Sequence, residues 1–597
     1  MSNLELGVIG NCGFAALIEE SGRICWSCWP RFDSEPIFFD LLNGNEPQSE
    51  NRVGFFDVVM DRYQRSEQSY IRNTAVLVTR LFDDNGGEVE ITDFSPRFRQ
   101  FGRAFRPTMI VRQIKPIAGS PRVRIRLRPS FDFGAVKPTI THGSNHIRYV
   151  GSQAALRLTT DAPPAYLLEE QPFILEETVT LMLGPDETVK AGVQETARDF
   201  KERTVAYWQE WVRHLHIPME WQDAVIRAAI TLKLCSFEET GAIIAAVTTS
   251  IPESANSGRN WDYRYCWLRD AFFVVRALNR LGAVDIMENY LHYLTNIMAA
   301  SEDGHLQPVY GVSLEHRLIE RQIDDLPGYR GMGPVRVGNQ AYEHLQHDVY
   351  GDVILAVTQA FFDRRLLRPP DRMAFQRLEA VGERAYELHT APDAGMWELR
   401  TRARVHTSSS LMCWAACDRL ASIATHWGMS DRAHYWANRA TTIHETICRE
   451  AWNEKAGSFV ESFGGEDSDA SLLLMAEVGF LKHDDPRFHA TIKHIEDKLK
   501  IDNHLLRYHA ADDFGRPETA FNICTLWYIE ALDMAGRREE AREMFENILS
   551  CRTKLNLLSE DIDIKSGELW GNFPQTYSLV GIINCAMRLS RGWGEVL

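Results

Sequence analysis

The spacing of apolar residues changes character once along the chain. Over roughly the first 190 residues, short runs at 75–82, 88–94, 109–115 and 123–127 alternate in polarity or are β-branched, which predicts half-buried strands. Turn formers such as Asn85-Gly86-Gly87 separate them. Short strands repeated over that length favour an antiparallel sandwich over a parallel sheet with helical crossovers. A helical period then takes over at 193–215, a stretch rich in Glu, Arg and Trp that reads as a linking helix. It recurs at 221–235, 271–281, 349–362, 373–390, 409–426, 430–452, 519–535, 538–551 and 578–589. Helices at such even intervals can alternate between the inner and outer layers of a toroid, so an (α/α)6 barrel is expected. The predicted organisation is a β-sandwich over 1–192, a linking helix over 193–216 and the barrel over 217–597. There is no strict repeat and no low-complexity tract, which argues against a solenoid.

Composition narrows the possible partners. Against 65 Lys and Arg stand 82 Asp and Glu, a net charge of -17 that repels nucleic acid and anionic membranes in the absence of a concentrated basic patch. The N-terminal residues lack a basic leader, and no apolar run reaches the length of a membrane span. Eleven scattered cysteines, an odd number, fit reduced thiols better than a disulfide framework. A cytoplasmic protein is the expectation. Cys25 and Cys28 are spaced as a redox or metal half-site, yet no second pair stands at zinc-ligand spacing. His305, His316, His344, His347 and His406 form no dense ligand motif either, so no metal site is assigned.

Three stretches carry candidate chemistry. Residues 259–270, Arg-Asn-Trp-Asp-Tyr-Arg-Tyr-Cys-Trp-Leu-Arg-Asp, interleave aromatic faces with charged donors and acceptors. Such faces stack on the C–H surface of a sugar ring while Arg and Asp grip adjacent hydroxyls. The same residues also fit an Arg–Asp pair capping a helix over core aromatics. Glu398 follows a turn-forming Asp393-Ala394-Gly395 and lies beside Trp397, whose indole face would desolvate the carboxyl and keep it protonated. A solvated glutamate near a helix start reads equally well there. Glu560, in Leu-Leu-Ser-Glu-Asp ahead of Gly571-Asn572-Phe573-Pro574-Gln575, suits a base that positions water, with Asp561 as its competitor.

Taken together, these segments resemble glycoside hydrolase family 15, the glucoamylase and trehalase family of inverting hydrolases. The likeness spans nearly the whole chain. It includes Ile9-Gly10-Asn11 and Cys28-Trp29-Pro30-Arg31-Phe32-Asp33-Ser34, which resemble the trehalase-like N-terminal sandwich. It continues through Trp267-Leu268-Arg269-Asp270, Met396-Trp397-Glu398, residues 469–475 and Ser559-Glu560. The resemblance implies Glu398 as general acid and Glu560 as general base. It implies Arg269 and Asp270 as the grip on the terminal glucose, Tyr263 near the catalytic water or the anomeric centre, Trp267 as a wall of the pocket, and Trp397 as a further substrate-binding residue. Arg516 and Glu518, in Gly515-Arg516-Pro517-Glu518, resemble a further sugar-binding loop. Two departures bear on substrate: Leu399 stands where family glucoamylases often carry a second acid, and 321–350 contains no tryptophan. No raw-starch module follows 578–589.

The reaction expected is a single displacement that releases β-glucose from the non-reducing end of a small α-glucoside such as trehalose, isomaltose or a malto-oligosaccharide. Inversion requires the two carboxyls to stand roughly 6.5–9.5 Å apart, leaving room for water. That chemistry needs no cofactor, although some trehalases of this family look phosphate or magnesium dependent. The expected partner is a small oligosaccharide or disaccharide, and a homo-oligomer is compatible with the fold. Two other readings stay open: a phosphorylase of α-glucosides, which would need a basic pocket near Glu560, and a non-catalytic sugar-binding protein.

Overall fold

The computed structural model describes residues 3–44, 51–151, 154–301 and 304–596. Two antiparallel sheets form the N-terminal part. In the first, the strands run Leu6–Gly10, Ala15–Glu19, Ile24–Cys28, Phe55–Met60, Arg122–Arg128 and Phe173–Ile174, with Pro36–Phe38 paired to Ile24–Cys28. In the second, the order is Thr139–His142, His146–Val150, Ala155–Thr160, Val179–Pro185, Ile110–Ala118, Glu88–Phe94, Leu77–Asp83 and Tyr63–Tyr70. Alternating apolar side chains from both, among them Ile18, Phe56, Ile125, Leu81, Ile91 and Leu158, share one core. This is the sandwich that the period-two spacing predicts. A short helix α1 (Pro164–Leu168) and the long helix α2 (Val193–Arg213) complete it, with Trp208 of α2 fully buried.

The helical part is a closed ring of helices in two layers. In chain order these are α3 (Gln222–Leu234), α4 (Leu268–Arg280), α5 (Val284–Ala300), α6 (Asp348–Thr358), α7 (Arg372–Leu388), α8 (Thr407–His426) and α9 (Ser430–Glu450). They continue as α10 (Leu474–Glu477), α11 (Pro486–Leu499), α12 (Asn522–Met534), α13 (Arg538–Ser550) and α14 (Thr576–Leu589). The even-numbered helices are inner. α4 packs on α6 and α14, α6 on α8, α8 on the turn Ala470–Leu473 that leads into α10, α10 on α12, and α12 on α14, which closes the circle. Sequence decides the layer. In α12 every residue from Asn522 to Leu532 is buried, as a helix apolar on all faces must be. In α9 only Trp436, Ala440, Ile443 and Ile447 are buried, a single stripe that suits an outer position.

The sandwich and barrel are locked by groups that have left water. Trp26 donates its indole N–H to the Val247 carbonyl at 2.9 Å. Arg264, fully buried, pairs with Asp262 at 2.7 Å and donates to the Ser34 carbonyl at 2.7 Å and to Cys28 Sγ at 3.3 Å. Cys28 is therefore an acceptor in a domain contact, and Cys25 points its thiol at the Leu17 carbonyl. Replacing Arg264 by Ala would strand Asp262 in the interior. A loss of roughly 3–5 kcal/mol is expected, read as a lowered midpoint in urea unfolding. Among the described residues, no helix is long and apolar enough to cross a membrane.

Candidate active site

One cavity opens where the inner helices begin. Its side chains come from the segments that lead into those helices. Arg269 and Asp270 lie in the first turn of α4, Glu398 precedes α8, Arg507 precedes α12, and Glu560 and Gln575 precede α14. Helix N-termini therefore ring the pocket, and their unpaired N–H groups favour the negative charge concentrated there.

Glu398 owes its position to Asp393. The Asp393 carboxylate is buried and accepts from the Gly395 N–H at 3.2 Å, from the His347 N–H at 2.7 Å and from the Ser409 hydroxyl at 2.7 Å. That fixes a turn closed by the Glu398 N–H on the Gly395 carbonyl at 3.1 Å, with Glu398 itself at φ 61°. A left-handed conformation is uncommon outside glycine and tends to be kept where function requires it. The carboxylate accepts the Trp267 indole N–H at 2.6 Å and the Gln346 amide at 3.4 Å, and Arg269 lies 3.8 Å away. The surroundings differ from the expectation of an indole face over the carboxyl. The Trp397 N–H is committed to Asp469 at 2.7 Å, and the indole that touches Glu398 is Trp267, edge on. Asp469 is itself pushed up to about 6 by burial.

Glu560 is held more deeply. Its backbone carbonyl accepts from the Asn522 N–H at 3.0 Å, and the strand beginning at Asp561 pairs with both Ala520–Phe521 and Leu569–Trp570. One carboxylate oxygen accepts the Tyr263 hydroxyl at 2.6 Å, while the other is buried without a protein partner. Burial raises this carboxyl well above the ordinary glutamate range and the neighbouring Glu253 raises it further, against the pull of Tyr263 and Arg507. Asp561 is buried too, accepts from the Thr519 hydroxyl at 3.1 Å and does not line the cavity. Gly571 makes the arrangement possible. A Cβ there would sit 2.6 Å from Glu560 Cβ and 2.7 Å from its Oε2, at φ 75°. Gly571→Ala is therefore expected to displace Glu560 and to cost about 1–2 kcal/mol in backbone strain alone, read as a lowered midpoint in urea unfolding.

Tyr263 and Trp267 link the two glutamates. Their rings meet edge to face at 5.3 Å, with Glu560 on the hydroxyl of one and Glu398 on the N–H of the other. Between them lies the floor, where Arg269 is 3.6 Å from Asp270 and 3.4 Å from Asp348, and burial holds Asp270 up at about 6. The glutamates, Tyr263, Trp267, Arg269, Asp270 and Trp397 thus share one hollow. Arg516 and Glu518 do not. Both are exposed and lie outside the cavity wall, because the loop turns at residues 512–515 and carries them away. The same loop contributes Arg507, Asp512 and Phe514 instead.

Several lining residues were not singled out from sequence. Glu253 accepts from Arg507 at 2.6 Å and from the Trp261 N–H at 2.9 Å. Arg259 grips Asp512 through two bonds of 2.5 and 2.6 Å. At the mouth, Trp261 packs edge-on to Phe514 at 5.2 Å and lies under the Arg400 guanidinium at 4.5 Å. Arg259 and Trp261 fall inside the aromatic and charged stretch already noted, so only their individual roles were hidden. Arg507 and Glu253 carry no local signal.

Residues 220–587 match the family model for glycosyl hydrolases family 15, and residues 4–164 match the trehalase-like N-terminal model. Among curated proteins, a trehalase of Thermoplasma volcanium is 30% identical over 98% of this chain and 93% of its own. A trehalase of Mycolicibacterium smegmatis is 30% identical over 99% of this chain and 92% of its own. Among solved structures, a bacterial glucoamylase complexed with acarbose superposes with a TM-score of 0.68 over 98% of this chain and 93% of its own, at 13% identity, which establishes a shared fold.

Proposed function

Because the chain belongs to glycosyl hydrolases family 15, a family of glycoside hydrolases, we propose that it is a trehalase that works by single displacement, with Glu398 as general acid and Glu560 as general base. The observation that carries this reading is the pair of loop glutamates facing one cavity from opposite ends of the Tyr263–Trp267 contact. In the step proposed, Glu398 gives its proton to the interglycosidic oxygen as the C1–O bond breaks. Glu560 takes a proton from the water whose oxygen bonds to C1 on the opposite face. The glucose attacked leaves as the β anomer and its partner as the α anomer. Arg269 and Asp270 hold the terminal glucose, Trp267 and Trp397 wall it in, and Arg507, rather than Arg516 or Glu518, lines the pocket from the 507–518 loop.

Trehalose is favoured by the full-length similarity to trehalases. Leu399 in place of an acid, and the lack of tryptophan in 321–350, weigh against long α-glucans. Glu253, Glu560 and Asp561 crowd the region where a phosphorylase would seat phosphate, which supports water as the nucleophile. The eleven thiols, none in a disulfide, support a cytoplasmic location. The test is kcat/KM on trehalose, isomaltose and maltose in phosphate-free buffer. Trehalose should lead by at least tenfold; preference for another sugar, or glucose 1-phosphate formed only when phosphate is added, would overturn the proposal.

The raised carboxyl of Glu560 predicts the pH profile. A base must be ionised, so kcat/KM should climb with pH through a limb set above the ordinary glutamate value of about 4.3. A profile already flat from pH 5 upward would contradict this.

A further inference from the structure

The floor of the cavity contains a polar group that the mechanism above leaves unused. Tyr577 lies on the first turn of α14, is buried and lines the cavity, and its hydroxyl has no hydrogen-bond partner among the described residues. Its ring packs against Phe273 at 5.1 Å and Trp527 at 5.5 Å. Phe273 stands three residues after Asp270 on α4, so it shares a helix face with that aspartate one turn deeper. Trp527 in turn meets Trp397, the residue beside Glu398, at 6.3 Å. Tyr577 is thereby wedged where α4, α12 and α14 converge beneath the pocket, with Asp270, Arg269 and Asp352 as its charged neighbours. Asp270 Oδ2 is likewise buried without a hydrogen bond, its contact with Arg269 being an ion pair at 3.6 Å.

Leaving a buried hydroxyl unpaired is unfavourable, and in native proteins such orphans call for an explanation. The ring accounts for an aromatic residue here; the hydroxyl needs a different reason, because phenylalanine would fill the same space. We propose that Tyr577 is a further sugar-binding residue, its hydroxyl forming a hydrogen bond with a ring hydroxyl of the glucose that Arg269 and Asp270 hold. This rests on the trehalase reading above and adds the group that reads the buried end of the terminal glucose. Burial and the adjacent carboxylates keep the phenol protonated, so it donates while its oxygen can also accept.

Tyr577→Phe tests this, since it keeps the ring and removes only the oxygen. The variant should hydrolyse trehalose with kcat/KM reduced roughly tenfold to a hundredfold, and its thermal midpoint should be unchanged or higher because no intramolecular bond is lost. Trehaloses lacking one hydroxyl at a time supply the decisive comparison. Wild-type enzyme should discriminate against one of them, and Tyr577→Phe should have lost that discrimination alone. Wild-type activity in the variant would overturn the proposal, as would a lowered thermal midpoint with an equal loss against every sugar, the signature of a structural role. If the wild-type enzyme instead prefers another α-glucoside, the trehalase reading fails separately, and the same comparison is made with deoxy forms of that sugar.

Discussion

Glu560→Gln is expected to reduce turnover on trehalose by about 10²–10⁴-fold and at the same time to stabilise the protein at neutral pH. The loss follows from the base role proposed for Glu560. The gain follows from burial. Glu560 is 1% exposed, one of its oxygens is unpartnered, and its carboxyl is raised by desolvation and then by Glu253. A carboxyl raised on folding makes the native state bind more protons than the unfolded chain between the ordinary and the raised value. Its contribution to stability is therefore fully present below the ordinary value and is lost as pH rises through the folded one. At pH 8 the wild type bears that burden and a neutral glutamine does not. Thermal unfolding at pH 5 and pH 8 should show the variant's advantage growing with pH. An inactive variant that is also less stable at pH 8 would mean that Glu560 supports the fold.

Glu398→Gln should lose turnover over a similar range, but with a different dependence on the leaving group. Its side chain is 23% exposed, and glutamine can still accept the Trp267 N–H, so stability should change little. Fluoride departs with less need of a proton than a sugar alkoxide does. On α-glucosyl fluoride, Glu398→Gln should therefore recover much of its rate, while Glu560→Gln, lacking the base, should not. The opposite pattern would exchange the two roles.

Much of this architecture is legible in the chain because layer and period coincide. The strand runs at 88–94 and 123–127 and the helical runs at 373–390 and 538–551 fall within about two residues of the observed elements. The helical runs of the sequence do not include α5 and α11, although each bears a signal. In α5, Ile286, Tyr290, Leu294 and Ile297 stand at helical spacing, obscured by interspersed tyrosine, asparagine and histidine. In α11, Asp485 caps the helix by accepting the Arg487 N–H, and Pro486 opens it. The candidate site divides in the same way. Tyr263, Trp267, Arg269 and Asp270 are contiguous, and Glu398 and Glu560 sit in distinctive turns, so local sequence exposes them. Glu253 and Arg507 meet only because the ring closes, joined by a bond between residues 254 positions apart. That Arg516 and Glu518 lie outside the cavity wall has the same origin: local sequence shows a charged loop but not which part of it faces inward.

Two acids cooperating across one glucose is the claim on which the rest depends, and the anomers first released from trehalose test it most directly. Proton NMR in the first minutes, before mutarotation, should show α- and β-glucose in equal amounts, because one half is inverted and the other keeps its configuration. Release of α-glucose alone would require a covalent intermediate and retention, and would contradict a base-activated water at Glu560.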